Sequence, residues 1–308
     1  MSGPTLVARR SGVDVRSGTG EANGTFGELL QGALPGGVDF LVTLPITRCS
    51  RAWFRFDPDG PLRVFPSHKL KSLRLARAML EVHGTGTGGT LVIDCDLPIG
   101  KGLASSSADL VATARAVGGV LGLDASPEAV EGWLRPIEPT DGVMHQGIVV
   151  FEHRAVRLRT ALGMLPATVV VAVDEGGLLD TVRFNQRPKQ YSDDELSEYE
   201  VLVRTLSGAV RDGDLAAVGA VATRSAVLNQ RPVPKRNLDA MRRLAEEIGA
   251  LGVVCAHSGT MLGLLLAERA AGHRRRLAAA RAGCMALPGV TTLFRALTFE
   301  ETEHAHAV

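Results

Sequence analysis

Aromatic residues make up only 4% of this 308-residue chain, so its interior has to be built from aliphatic side chains, chiefly Val, Leu and Ala. Cysteine is sparse too. Cys49, Cys95, Cys255 and Cys284 are far apart and form no CxxC pair, which excludes a disulfide framework or a zinc cluster and reads as reduced, mostly buried thiols. No long hydrophobic run is present. The longest notable one, Met261 to Ala267 (MLGLLLA), is far short of the roughly 18 residues a membrane span requires. No apolar segment near the N-terminus has the form of a signal peptide, so a cytoplasmic protein with no membrane partner is expected. Charge of one sign is missing as well: 34 Lys+Arg against 33 Asp+Glu leave +1, which gives no footprint for nucleic acid. What is present is 45% hydrophobic residues and 35 glycines, enough for a folded core and for turns that approach a ligand closely.

Local patterns indicate α+β architecture in two lobes. The first twenty residues, rich in Gly, Ser and Arg, read as a flexible lead-in, and the tail ETEHAHAV as uncommitted. Gly37 to Phe56 reads as two strands divided at Pro45, Ser67 to His83 as a helix with a solvated basic side, and Thr90 to Leu97 as a strand. A helix follows up to Gly122, and another starts at a Ser126 cap with Pro127 in its first turn. A strand pair is expected over Ile148–Phe151 and Ala155–Arg159, and a further strand over Ala167–Val173. Helical patterns dominate from Asp193 to about Leu266, interrupted at Gly252–Ala256, before a last strand over Val290–Leu297. The change of pattern near residue 160 divides the chain into 1–20, 21–160 and 161–308.

The run Pro98-Ile-Gly-Lys-Gly-Leu-Ala-Ser-Ser-Ser-Ala108 carries the chemistry. It follows a strand and opens a helix, the order in which glycines bring backbone N–H groups and a helix dipole to a phosphate. A plain serine cap after a glycine turn is the alternative reading. Gly84 to Gly89 (GTGTGG) has a similar composition but follows a helix and precedes a strand, so it reads as a turn. The GxxxxGK[ST] P-loop, HExxH and GxSxG patterns are all absent.

Three further segments accompany this run in order: Asn23-Gly-Thr-Phe-Gly-Glu-Leu-Leu-Gln-Gly32, the IEPTDG run ending at Gly142, and Val254-Cys-Ala-His-Ser-Gly-Thr260. Together the four segments resemble the motifs of the GHMP kinase superfamily, over about residues 20 to 297, and within it most resemble the L-threonine kinase branch of cobalamin biosynthesis. The resemblance implies an ATP-binding first lobe of the ribosomal S5 domain 2-like type and a ferredoxin-like second lobe. It also implies ATP and Mg²⁺ as cofactors and a small hydroxylated amino acid as acceptor.

By the same resemblance, ATP would be held by Pro98, Gly100, Lys101, Gly102, Leu103 and Ala104, followed by Ser105, Ser106 and Ser107. Lys101 would add a point charge or stand as a solvated loop lysine. Ser106 falls where a hydroxyl reaches Mg²⁺, and Glu138, rather than Glu131, is placed in the metal shell because it belongs to the EPTD run. Asp141 matches the catalytic aspartate, against the plain reading of an Asp-Gly turn. Thr25, Glu28 and Gln31 would line the acceptor side, with His257, Ser258 and Gly259 ending a strand and opening a helix there. Thr25 stands where many members carry a lysine, Phe26 where this branch is expected to have cysteine and Asn23 where proline is common. These departures keep homoserine, serine and amino alcohols open as acceptors. A non-catalytic nucleotide-binding regulator on the same fold is the alternative of another class, and a homodimer remains open.

Overall fold

Two long antiparallel strands, β1 (Ser17–Leu34) and β2 (Val38–Phe56), form the spine of the molecule. The structure is a computed structural model describing residues 16–84, 86–177 and 191–298. The expected lead-in overlaps the start of β1. The Gly-rich run there reads as loop, yet it lets the strand lie against a helix: a Cβ on Gly20 would stand 2.2 Å from the Ala112 carbonyl oxygen. Residues 1–15 and the tail 299–308 fall outside the described residues.

Pro45 does not divide β2 in two as its sequence suggests. It pairs with Thr25 in the stretch where the register of β1 shifts, so its missing N–H falls where the ladder is already interrupted. On the far side of β2 come β4 (Gly89–Cys95) and β3 (Leu62–Phe65), while β5 (Ile148–Glu152) branches from β2 and pairs with β6 (Arg157–Gly163). Residue 160 therefore lies inside a strand. The first-lobe helices are α1 (Leu70–His83), α2 (Ser105–Leu121) and α3 (Pro127–Leu134), the last capped by Ser126 as expected.

The second lobe runs β7 (Thr168–Asp174), α4 (Asp193–Asp212), α5 (Leu215–Leu228), α6 (Leu238–Ile248), β8 (Gly252–Cys255), β9 (Met261–Ala267), α7 (His273–Met285) and β10 (Val290–Arg295). In space its strands lie in the order β10-β7-β9-β8, the arrangement of a split βαβ, ferredoxin-like unit. Here β9 corrects the helical expectation for Met261–Leu266. Six of its seven residues are buried, and a run that is apolar on both faces carries no period to separate strand from helix. The two lobes share one sheet, because β8 meets β1 at the pair Glu28↔Cys255. That junction brings the first and last glycine segments together. Among the described residues no helix is long and apolar enough to cross a membrane.

Candidate active site

The chain leaves β4 and enters α2 through Ala104, a non-glycine residue with φ of 57°. A left-handed alanine is held against its preference, at a cost of about 1 kcal/mol or more. No side chain caps this helix. Its first-turn N–H groups, unlike those of a Ser- or Asp-capped helix, thus keep their potential for a ligand. Ala104, Ser105, Ser106 and Ser107 border a cavity of about 560 Å³, along with Gly100, Gly102 and Leu103.

The first turn of α2 faces the loop between α3 and β5. Ser106 Oγ lies 2.5 Å from Glu138 Oε1, and the other oxygen of Glu138 accepts from Lys71. One residue on, Ser107 Oγ donates to Asp141 Oδ2 at 3.0 Å and stands 3.1 Å from the Asp141 backbone N–H. Desolvation pushes the Asp141 pKa up to about 6; the Ser107 hydrogen bond opposes this and the Glu138 charge adds to it. Adjacent serines thus each hold one carboxylate of the EPTD run at the same cavity. Glu131 is engaged elsewhere: its Oε1 bonds His145 at 2.7 Å and the Leu158 N–H at 2.9 Å.

The third glycine segment comes from the other lobe. It is the turn of the β8–β9 hairpin and not the opening of a helix, a consequence of β9 being a strand. It packs on the first glycine loop backbone to backbone: a Cβ on Gly259 would lie 2.0 Å from the Lys101 carbonyl oxygen, and one on Gly102 would lie 2.4 Å from Ala256 Cβ. Buried Lys235 donates to the Gly259 carbonyl. Lys101 itself does not line the cavity; its ammonium pairs with Asp174 Oδ2 at 2.8 Å.

Of the residues assigned to the acceptor side, Glu28, His257 and Ser258 line the cavity. Gln31 stands behind them, its Oε1 2.6 Å from His257 Nδ1, and Thr25 is buried with its N–H bound to Leu103 O at 3.2 Å. Like Thr25, the other two departures noted in the first segment lie away from the cavity. Phe26 is fully buried with its ring centroid 5.1 Å from that of Phe294, and Asn23 Nδ2 donates to Ile46 O at 3.1 Å. Neither shapes an acceptor pocket.

Sequence reasoning missed His68, Lys69, Lys71 and His153, all of which border the cavity. Lys69 and Lys71 open α1, whose basic side reads as solvated; Lys69 is in fact half-buried and paired with Asp109 Oδ2 at 2.5 Å, with Ser50 Oγ on the other oxygen at 2.7 Å. Pro98 borders only a second, more open depression of about 490 Å³, which shares His68, Lys69 and Ile99 with the first. Among the described residues no group of three or more His, Cys, Asp or Glu side chains is arranged to hold a metal ion.

A glycine loop feeding an uncapped helix, with serines and carboxylates around one cavity, thus stands at the junction of two α+β lobes joined in one sheet. The family model for the GHMP kinases N terminal domain matches residues 71–151, and that for the GHMP kinases C terminal matches residues 206–283. The chain belongs to the GHMP kinase family. It is 27% identical over 178 residues to an L-threonine kinase of Citrobacter freundii, covering 56% of this chain and 61% of that protein. To an L-threonine kinase of Salmonella typhimurium it is 28% identical over 174 residues, covering 55% and 57%. The match thus spans about 60% of the length of these curated relatives. A homoserine kinase structure from Cytophaga hutchinsonii superposes with a TM-score of 0.71 at 15% identity, covering 95% of this chain and 98% of that one, which is likeness of fold.

Proposed function

We propose that this protein is a kinase that transfers the γ-phosphoryl group of ATP to the side-chain hydroxyl of a small amino acid, L-threonine first. One observation carries the reading: Ser106 with Glu138 and Ser107 with Asp141 stand side by side on the uncapped first turn of α2, facing one cavity. Phosphoryl transfer asks for a polyphosphate cradle, charge neutralisation and a group that orients the acceptor. The backbone N–H groups of the glycine loop and α2 would bind the phosphates, and the adjoining depression has room for the nucleoside.

The Ser106 hydroxyl and Glu138 carboxylate are hard oxygen donors of the kind Mg²⁺ takes, usually one or two carboxylates completed by phosphate oxygens. When bound, the ion would neutralise charge on the transferring phosphoryl. Lys71, already at Glu138, would add a positive charge in a chain that has Thr25 where relatives carry lysine. Asp141 would orient the acceptor hydroxyl and take its proton, with Ser107 holding the carboxylate in place. With its pKa at about 6, Asp141 is mostly ionised at neutral pH and basic enough to serve. The likeness to two L-threonine kinases supports the choice of acceptor. We extend the reading to a homologous pathway role in cobalamin assembly and to the cytoplasm as the site of action.

The test is ADP release from ATP and Mg²⁺ with L-threonine, L-serine, L-homoserine and 1-amino-2-propanol, with the product mass determined. Preference for L-threonine with a phosphothreonine product is expected. Turnover of another acceptor alone would overturn the substrate, and ATP binding without turnover of any acceptor would favour a regulator.

A further inference from the structure

The end of the cavity reached by both lobes holds a cluster that the phosphoryl-transfer roles leave unused. Glu28, His153 and His257 are buried side chains that all border the same space as Asp141. Three elements bring them together. Glu28 is the β1 residue that pairs with Cys255, two positions before His257. His153 directly follows β5, and its carbonyl accepts the N–H of Thr140 at 3.1 Å, which ties it to the Asp141 loop. The two imidazoles then meet edge to face with centroids 5.3 Å apart.

The His257 ring is oriented by Gln31. The Gln31 amide nitrogen lies 3.5 Å from Cys255 O, which assigns its oxygen to His257 Nδ1 and the Nδ1 proton to the imidazole. The site therefore presents one carboxylate and two imidazoles. A zwitterionic amino acid needs an acceptor for its ammonium and N–H donors for its carboxylate. Among the described residues the ammonium groups bordering the cavity are those of Lys69 and Lys71, which are committed to Asp109 and Glu138 beside α2. Donors at this end fall to the histidines, and of the two His153 is linked directly to the catalytic loop.

We propose that His153 is a specificity-determining residue that reads the α-carboxylate of the acceptor, opposite Glu28 at the ammonium. This deepens the proposed function and rests on it. An imidazole N–H on a carboxylate is a charge-assisted bond that needs no protonated ring. Selection would then act against amino alcohols, which bring no carboxylate to that imidazole and forgo the charge-assisted bond.

The experiment compares L-threonine with 1-amino-2-propanol, the same skeleton without the carboxylate, in wild type, His153→Leu and His153→Gln. Loss of one hydrogen bond to a charged group corresponds to about 10- to 100-fold. His153→Leu should therefore raise KM for L-threonine by about that factor, with KM for ATP and kcat/KM for the amino alcohol changed by less than about threefold. His153→Gln, which keeps an N–H donor, should recover most of the loss. L-2-Aminobutyrate, which has the carboxylate and no hydroxyl, gives a second readout: its inhibition constant against L-threonine should rise in parallel, and that of ADP should not.

Equal losses for both acceptors, or an inhibition constant for L-2-aminobutyrate that does not move, would overturn the role of His153 while wild-type turnover of L-threonine keeps the kinase reading. Wild-type turnover of the amino alcohol and of none of the amino acids would overturn both.

Discussion

The ammonium of Lys101 lies 2.8 Å from Asp174 Oδ2, and the other oxygen of that carboxylate accepts from Thr260 Oγ1 at 2.5 Å and from the Gly176 N–H at 3.0 Å. One carboxylate at the end of β7 therefore joins the loop of Gly100 and Gly102 to the β8–β9 turn. Burial by itself would raise the Asp174 pKa. The hydrogen bonds from Lys101, Thr260 and Gly176 outweigh it and hold the carboxyl below its usual range.

A depressed carboxylate contributes stability above its unfolded pKa of about 4, and this is lost as pH falls through the folded value. Lys101→Met should cost about 1–3 kcal/mol at pH 7, the range for hydrogen bonds to charged groups, and the difference from wild type should shrink on acidification. Urea unfolding at pH 7 and pH 3 measures both. Asp174→Asn combined with Lys101→Met should cost little more than the worse single variant, because the two share one interaction.

Asp141→Asn is expected to lower turnover by about a hundredfold or more, within the contribution of a positioned general base, while ATP binding persists. The same substitution should stabilise the nucleotide-free protein at neutral pH. Raised to about 6, the Asp141 carboxyl binds a proton in the fold that the unfolded chain has released, so its ionisation costs stability that grows from about pH 4 to pH 6 and then stays constant. Thermal melts of wild type and variant should agree near pH 4 and diverge by pH 7, with the variant higher. Unchanged turnover would remove Asp141 from the chemistry.

The pH profile of kcat/KM follows from the same group. Activity should fall about tenfold per unit below pH 6 as Asp141 takes up its proton, and the acid limb should vanish in Asp141→Asn. An acid limb centred near pH 4 would assign it to another carboxylate.

Ser106→Ala should shift the Mg²⁺ activation curve to higher concentration, and Glu138→Gln should shift it further, since the carboxylate carries the charge. Ser107→Ala acts on Asp141 instead and should lower kcat with the Mg²⁺ response unmoved. Titrations of initial rate against Mg²⁺ separate the two serines.

Gly259→Ala places a methyl 2.0 Å from the Lys101 carbonyl oxygen, where only backbone displacement relieves the clash. It should reduce nucleotide affinity and melting temperature together. Gly119→Ala, on α2 with nothing within 4 Å of its Cβ, should raise stability by up to about 1 kcal/mol through helix propensity alone.

The sequence by itself determined the elements whose signal is local. The strand, glycine loop and helix around Gly102 are legible from their order, α3 from Ser126 and Pro127, and the pairing of the EPTD run with the serine loop from their resemblance to family motifs. What depends on contacts far apart in the chain was not legible. The nature of β9 turned on being buried from both sides, and the continuity of β2 through Pro45 on a register shift in its neighbour. Glu138 was preferred to Glu131 for its place in the EPTD run, and only the fold shows that Glu138 meets Ser106 while Glu131 meets His145. Lys101 carries a charge at a plausible place for a phosphate, and only the fold shows that Asp174, 73 positions later, takes it. His153 has no local signature at all. It enters the site because β5 and the β8–β9 turn converge there, and such convergence is a property of the packed sheet, where partners are set by the burial of whole faces rather than by neighbours in sequence.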